Sequence, residues 1–145
     1  MDIEKRTGKP ICELFDLIAG TSTGGILAAA LTVPDARGKP KLTAKQVHAA
    51  YFEHGPQVFQ KSMVRLVTSL GGLIRPIYSP NALDLMLETY LGDTRLHSTL
   101  TEILVTAYDM TSDTPWFFKT SFAENHRDPV DDPLLTQVVR ATTAV

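Results

Sequence analysis

The 145 residues carry a net charge of −2, fourteen basic side chains against sixteen acidic, and are 43% apolar and 21% charged, the composition of a globular domain rather than a disordered tail. No Lys/Arg run marks a nucleic-acid surface, and the single Cys12 excludes an internal disulfide or a multi-cysteine metal site. The longest apolar stretch, Ile26 to Leu31, is far shorter than the ~20 residues of a membrane helix, and the charged start Asp2 to Arg6 has no apolar run behind it, so a cytoplasmic chain is expected.

In chain order, residues 14–19 form a short, mostly apolar run that stops at Gly20, the pattern of a buried parallel strand. Asp16 inside it reads as a partnered carboxylate rather than a catalytic one, and Cys12 just before it as a core residue. From Gly24 to Leu31 the large apolar residues Ile26, Leu27, Ala30 and Leu31 recur at helical spacing, and the small residues 24, 25, 28 and 29 suit close packing. A Pro- and Gly-rich loop spans 34–40. Thr43 with Gln46 is a capping-box signature that opens a helix over about 44–54. The apolar residues between Met63 and Ile74 read as core.

Ser79-Pro80 caps a helix whose apolar face is Leu83, Met86, Leu87 and Tyr90 and which closes at Gly92. Ile103 to Tyr108 and Trp116 to Phe122 are rich in β-branched and aromatic residues and flank the turn Thr111-Ser112-Asp113, so two adjacent strands are expected. Asp132-Pro133 begins a last helix with Leu134, Leu135, Val138 and Val139 on one side. Alternating strands and helices predict an α/β fold. Three strands are few against the ~5–6 of a mean sheet, which points to sequence missing on one or both sides.

The chemistry sits at Gly20-Thr21-Ser22-Thr23-Gly24, a G-x-S-x-G motif between a strand and a helix. In that context the two glycines relieve clashes in a strained turn, and Ser22 is exposed at a helix N-terminus, where backbone N–H groups favour developing negative charge. A blander reading makes the turn a helix cap through Thr21 or Ser22. A phosphate cradle is disfavoured, because neither G-K-[ST] nor G-x-G-x-x-G occurs.

Across Phe15 to Gly25 the sequence resembles the patatin-like phospholipase family, with a looser likeness over Ile103 to Phe118 and at Arg140-Ala141-Thr142-Thr143-Ala144, which looks like that family's Ala-Thr-Ser-Ala-Ala stretch. The resemblance implies a three-layer α/β/α sandwich and a lipid acyl hydrolase in which Ser22 is the nucleophile. It also implies an aspartate in an Asp-Gly motif as base and a glycine-rich loop as oxyanion hole. The expected substrate is a fatty-acyl ester, with peripheral contact to a membrane surface, no nucleic acid, and no metal or organic cofactor.

No Asp-Gly dipeptide occurs in the 145 residues, and the loop expected before the nucleophile is missing. Gly71-Gly72-Leu73-Ile74-Arg75 resembles that loop only faintly and reads as ordinary. Residues 1–145 are therefore expected to be a partial domain, an incomplete sandwich that is inactive alone. Two other readings compete. One is a catalytically dead or lipid-binding module. The other is a Ser-Asp-His hydrolase that uses Ser22, Asp109 or Asp113, and His126 in chain order. His126 lies in a polar segment that reads as a solvated loop. His48 and His54 are six apart and share no face as i, i+4 ligands would; with His97 they read as surface or packing residues.

Overall fold

The strands and helices alternate as the sequence pattern predicts. A computed structural model describes residues 2–53, 80–126 and 128–144, so His54, Ser79, the apolar residues 63–74 and the loop 71–75 lie outside the described residues. Helix α1 is Asp2–Thr7, strand β1 Leu17–Thr21, and helix α2 Thr23–Thr32. Helix α3 runs over 44–53, and α4 is Pro80–Leu91. The hairpin β2, Glu102–Asp109, and β3, Thr114–Lys119, is followed by α5, Thr120–Asn125, and α6, Leu135–Thr143.

The sheet order is β1-β2-β3. β1 and β2 are parallel with Thr21 opposite Thr106, and β2 and β3 are antiparallel with Thr106 opposite Phe117. A parallel pair requires a long crossover, supplied here by α2, α3 and α4. The inward residues Ile103 and Val105 of β2 are fully buried, as are Ala28 and Ala29 of α2, Leu83 of α4, and Leu135, Val138 and Val139 of α6. Each of the larger side chains contributes about 1.5–3 kcal/mol by leaving water. The other face of the sheet is open: Leu17, Tyr108 and Phe117 are 52%, 54% and 53% exposed. The described residues thus form a sheet and one helical layer, consistent with part of an α/β/α sandwich.

Local expectations hold where near neighbours decide them. Thr43 N–H donates to Gln46 Oε1 at 2.9 Å and Gln46 N–H to Thr43 Oγ1 at 3.3 Å, the reciprocal capping box that opens α3. Cys12 is buried, and burial is the main reason its thiol pKa is raised. No helix among the described residues is long and apolar enough to cross a membrane.

Four expectations need correction. The first strand begins at Leu17, not at residue 14, which leaves Asp16 ahead of it and exposed. Alternate residues of β1 are solvent-facing, since among the described residues only one face of the sheet is covered. The second hairpin strand stops at Lys119, because the Thr120 hydroxyl accepts the Ile103 N–H at 3.0 Å and bonds Thr99 at 2.8 Å, ending the ladder and placing Phe122 on α5. The last helix begins at Leu135, past Pro133, with the Leu134 N–H donating to Gln137 Oε1 at 2.9 Å.

Candidate active site

Ser22 follows β1 directly and precedes the first residue of α2. Its backbone lies at φ 55, ψ −119, a left-handed conformation that costs a non-glycine residue about 1–3 kcal/mol and persists only where its surroundings enforce it. Three contacts do so. A Cβ on Gly20 would fall 2.2 Å from both the carbonyl carbon and the oxygen of Gly24, so only glycine lets the strand end meet the helix start. The Thr21 and Thr106 hydroxyls bond across the strands at 2.7 Å. Finally, the Ser22 N–H donates to Thr142 Oγ1 at 2.8 Å.

The glycines of the motif are not equivalent. A side chain on Gly24 would meet nothing within 4 Å, whereas one on Gly25 would fall 2.7 Å from Thr142 Cγ2 and 3.0 Å from Val105 Cγ1. The expectation that both motif glycines relieve a clash thus holds for Gly20 alone, and the close approach between helices falls at Gly25. The Ser22 side chain makes no capping hydrogen bond to α2, and the Thr21 hydroxyl is engaged by Thr106, which removes the simple-cap reading. The Ser22 carbonyl accepts the N–H groups of Gly25 at 2.9 Å and Ile26 at 3.2 Å, while those of Thr23 and Gly24 have no intrahelical carbonyl to bond. The serine thus stands, half-buried, beside helix-terminal donors at the C-terminal edge of a parallel pair.

The Ser-Asp-His set is not assembled. Asp109 ends β2 near the Ser22 edge, but its carboxylate accepts from Ser112 Oγ at 2.7 Å and Thr111 N–H at 2.8 Å. These bonds, the Ser112 hydroxyl first, hold its pKa below the usual carboxylate range. Asp113 accepts the Tyr108 hydroxyl at 2.9 Å. His126 is exposed at the end of α5, stacked on Phe122 at 4.2 Å. Because β3 is antiparallel, α5 leaves the sheet near the start of β1, away from Ser22. Among the described residues no group of three or more His, Cys, Asp or Glu could hold a metal ion.

A partnership that sequence spacing does not show lies at the opposite end of β2. Asp132, 2% exposed, accepts the His97 N–H at 3.0 Å and sits 2.6 Å from His97 Nδ1. Around it Leu96 N–H donates to Pro133 O, Leu135 N–H to Thr94 O, and Arg95 Nη1 to Asp132 O, so residues 94–97 and 132–135 are zipped together. Ser98 Oγ lies 3.0 Å from His97 Nε2, the order of a Ser-His-Asp relay. However, the Ser98 and Thr99 N–H groups are bonded within their own turn, so neither is free to serve as an oxyanion donor. The pair is a latch that seats α6. Asp132→Ala is expected to cost about 1–3 kcal/mol in urea unfolding, the usual loss when a buried donor is left unpaired. A change inside the ±0.5 kcal/mol of ordinary surface substitutions would show that the latch adds nothing.

Comparison with known proteins shows the family. The sequence profile described as Patatin-like phospholipase matches residues 5–145. Patatin-T5 of Solanum tuberosum is 36% identical over 120 residues, 83% of this chain and 29% of that protein. Patatin-2-Kuras 4 of the same species is 34% identical over 86% of this chain and 31% of its own length. Patatin-17 of Solanum cardiophyllum is 34% identical over 86% of this chain and 30% of its own length. The chain spans less than a third of these relatives, but the profile covers nearly all of it, and the chain belongs to the patatin-like phospholipase family.

Proposed function

We propose that residues 1–145 carry the nucleophile portion of a lipid acyl hydrolase, with Ser22 as the attacking residue and the general base supplied by polypeptide outside these residues. The observation that carries this reading is the Ser22 backbone at φ 55 on a strand-to-helix turn, the strained conformation that presents a serine hydroxyl beside helix-terminal N–H groups. Ser22 Oγ attacks the carbonyl carbon of a fatty-acyl ester as its proton passes to the base. The oxyanion forms near the Thr23 and Gly24 N–H groups, the ester C–O bond breaks, and the leaving alcohol takes the proton. Water then cleaves the acyl-serine to a fatty acid and free hydroxyl.

Apolar residues suit this edge to a lipid surface. β2 runs three residues past the Thr21–Thr106 pair, and Tyr108 and Met110 there are 54% and 86% exposed. Because the base lies elsewhere, residues 1–145 alone should turn over esters poorly.

The reading is tested in a chimera that joins these residues to the flanking segments of Patatin-T5, assayed on phospholipid. His126→Ala in that chimera is expected to keep activity within a few-fold. Losing a true general base costs roughly 10²–10⁴-fold, and a drop of that size would replace a base outside these residues by a Ser22-based histidine triad.

A further inference from the structure

We propose that Thr142 is a positioning residue for this reaction: its hydroxyl oxygen holds the Ser22 backbone in the conformation that aims the nucleophile. This rests on the reading of Ser22 given above. Thr142 lies on the last turn of α6, 120 positions from Ser22 in sequence, and is 8% exposed. The Ser22 N–H has left the strand ladder, which ends at the Thr21–Thr106 pair, and precedes the intrahelical bonds of α2. Its acceptor is Thr142 Oγ1 at 2.8 Å. Without that oxygen the N–H has no acceptor at φ 55, whereas rotation toward an ordinary extended φ would free it to seek another and swing Oγ with it.

The rotamer of Thr142 is set by packing. Its Cγ2 rests where a Gly25 side chain would otherwise be, so the methyl faces α2 and the hydroxyl faces Ser22. Glycine at position 25 is thereby explained, since any Cβ there would push Thr142 away from the serine. The tether is anchored along the buried face of α6 and ahead of its N-terminus. Leu135, Val138 and Val139 are fully buried, and the Asp132–His97 latch holds the segment that leads into the helix. Thr142 touches neither substrate nor the reacting atoms; it acts through the serine backbone.

The test uses the Patatin-T5 chimera, with kcat and KM measured on a short-chain p-nitrophenyl ester. Thr142→Val keeps the branched shape and removes the acceptor, while Thr142→Ser keeps the acceptor and removes the methyl. Small misplacements of a reacting group cost on the order of 10²-fold, so that fall in kcat is expected for Thr142→Val. KM should stay within about 2-fold, as for an interaction that acts on the chemical step alone. Thr142→Ser should stay near the parent. Wild-type kcat in Thr142→Val, equal losses in both variants, or a rise in KM alone would overturn the proposal.

Thr142→Ala carries the same expectation should the valine variant fail to fold. In the 145-residue chain, the Ser22 amide should exchange with solvent faster in Thr142→Val than in Thr142→Ser, and equal rates would again overturn the tether. Ser22→Ala in the same chimera separates the two readings. An active alanine variant removes the nucleophile assignment, whereas a dead one beside a fully active Thr142→Val removes only the tether.

Discussion

Ser22→Ala is expected to abolish both covalent labelling by a fluorophosphonate and ester turnover in the Patatin-T5 chimera, with a loss in kcat on the order of 10⁴-fold or more. The attacking oxygen is the only atom removed, and the residual rate comes from binding and oxyanion donors. The fold should survive. Alanine has the same backbone, the Ser22 N–H keeps its bond to Thr142, and the side chain makes no capping bond that is lost. The measurement pairs labelling with circular dichroism and thermal melting. Persistent labelling of a folded alanine variant would mean that another residue is the nucleophile. The unextended 145 residues belong beside it as a control. Turnover equal to that of the chimera and lost on Ser22→Ala would place the base inside the chain.

Gly20→Ala is the second large effect, and it acts on the fold. A Cβ at position 20 would lie 2.2 Å from Gly24 C, 2.2 Å from Gly24 O and 2.7 Å from Gly25 N. All three are backbone atoms of the first turn of α2, so no side-chain rotation relieves the contact. Either β1 or α2 must shift, and both are packed: β1 is paired with β2, and Ala28 and Ala29 on α2 have no exposed surface. Overpacking of a tight site costs typically 1–3 kcal/mol and sometimes more. A backbone clash belongs at the upper end, so about 3 kcal/mol or failure to fold is expected in urea unfolding. Gly24→Ala is the internal control. Its Cβ would meet nothing, and alanine in a helix gains about 0.5–1 kcal/mol over glycine. Stability should therefore fall at one motif glycine and hold or rise at the other. Equal behaviour at both would contradict the steric account.

The same contrast marks where local pattern stops being informative. Thr43 and Gln46 are three residues apart, and their capping box forms as the spacing predicts. Leu83 and Leu87, one helical turn apart, are buried together in α4. The strand-to-helix turn at Gly20 to Gly24 was likewise legible, because its chemistry lies within five consecutive residues. The strand ends were not. Residues 14–19 are mostly apolar, yet β1 starts only at Leu17, and Thr120 ends β3 through bonds to Ile103 and Thr99 that no local propensity encodes. Asp132 before Pro133 has the look of a helix cap, but its carboxylate is taken by His97, 35 positions earlier.

The sequence by itself determined the α/β alternation, the serine at the elbow and the resemblance to patatin-like phospholipases, because each is read from local patterns, stretch by stretch along the chain. Only the tertiary structure decided that Gly20 rather than Gly24 must lack a side chain, that Asp109, Asp113 and His126 do not converge on Ser22, and that Thr142 reaches it across 120 positions. The physical reason is that sterics and hydrogen bonds act over a few ångströms of space. A sequence records separation along the chain, and folding brings Thr142 Oγ1 within 2.8 Å of the Ser22 nitrogen.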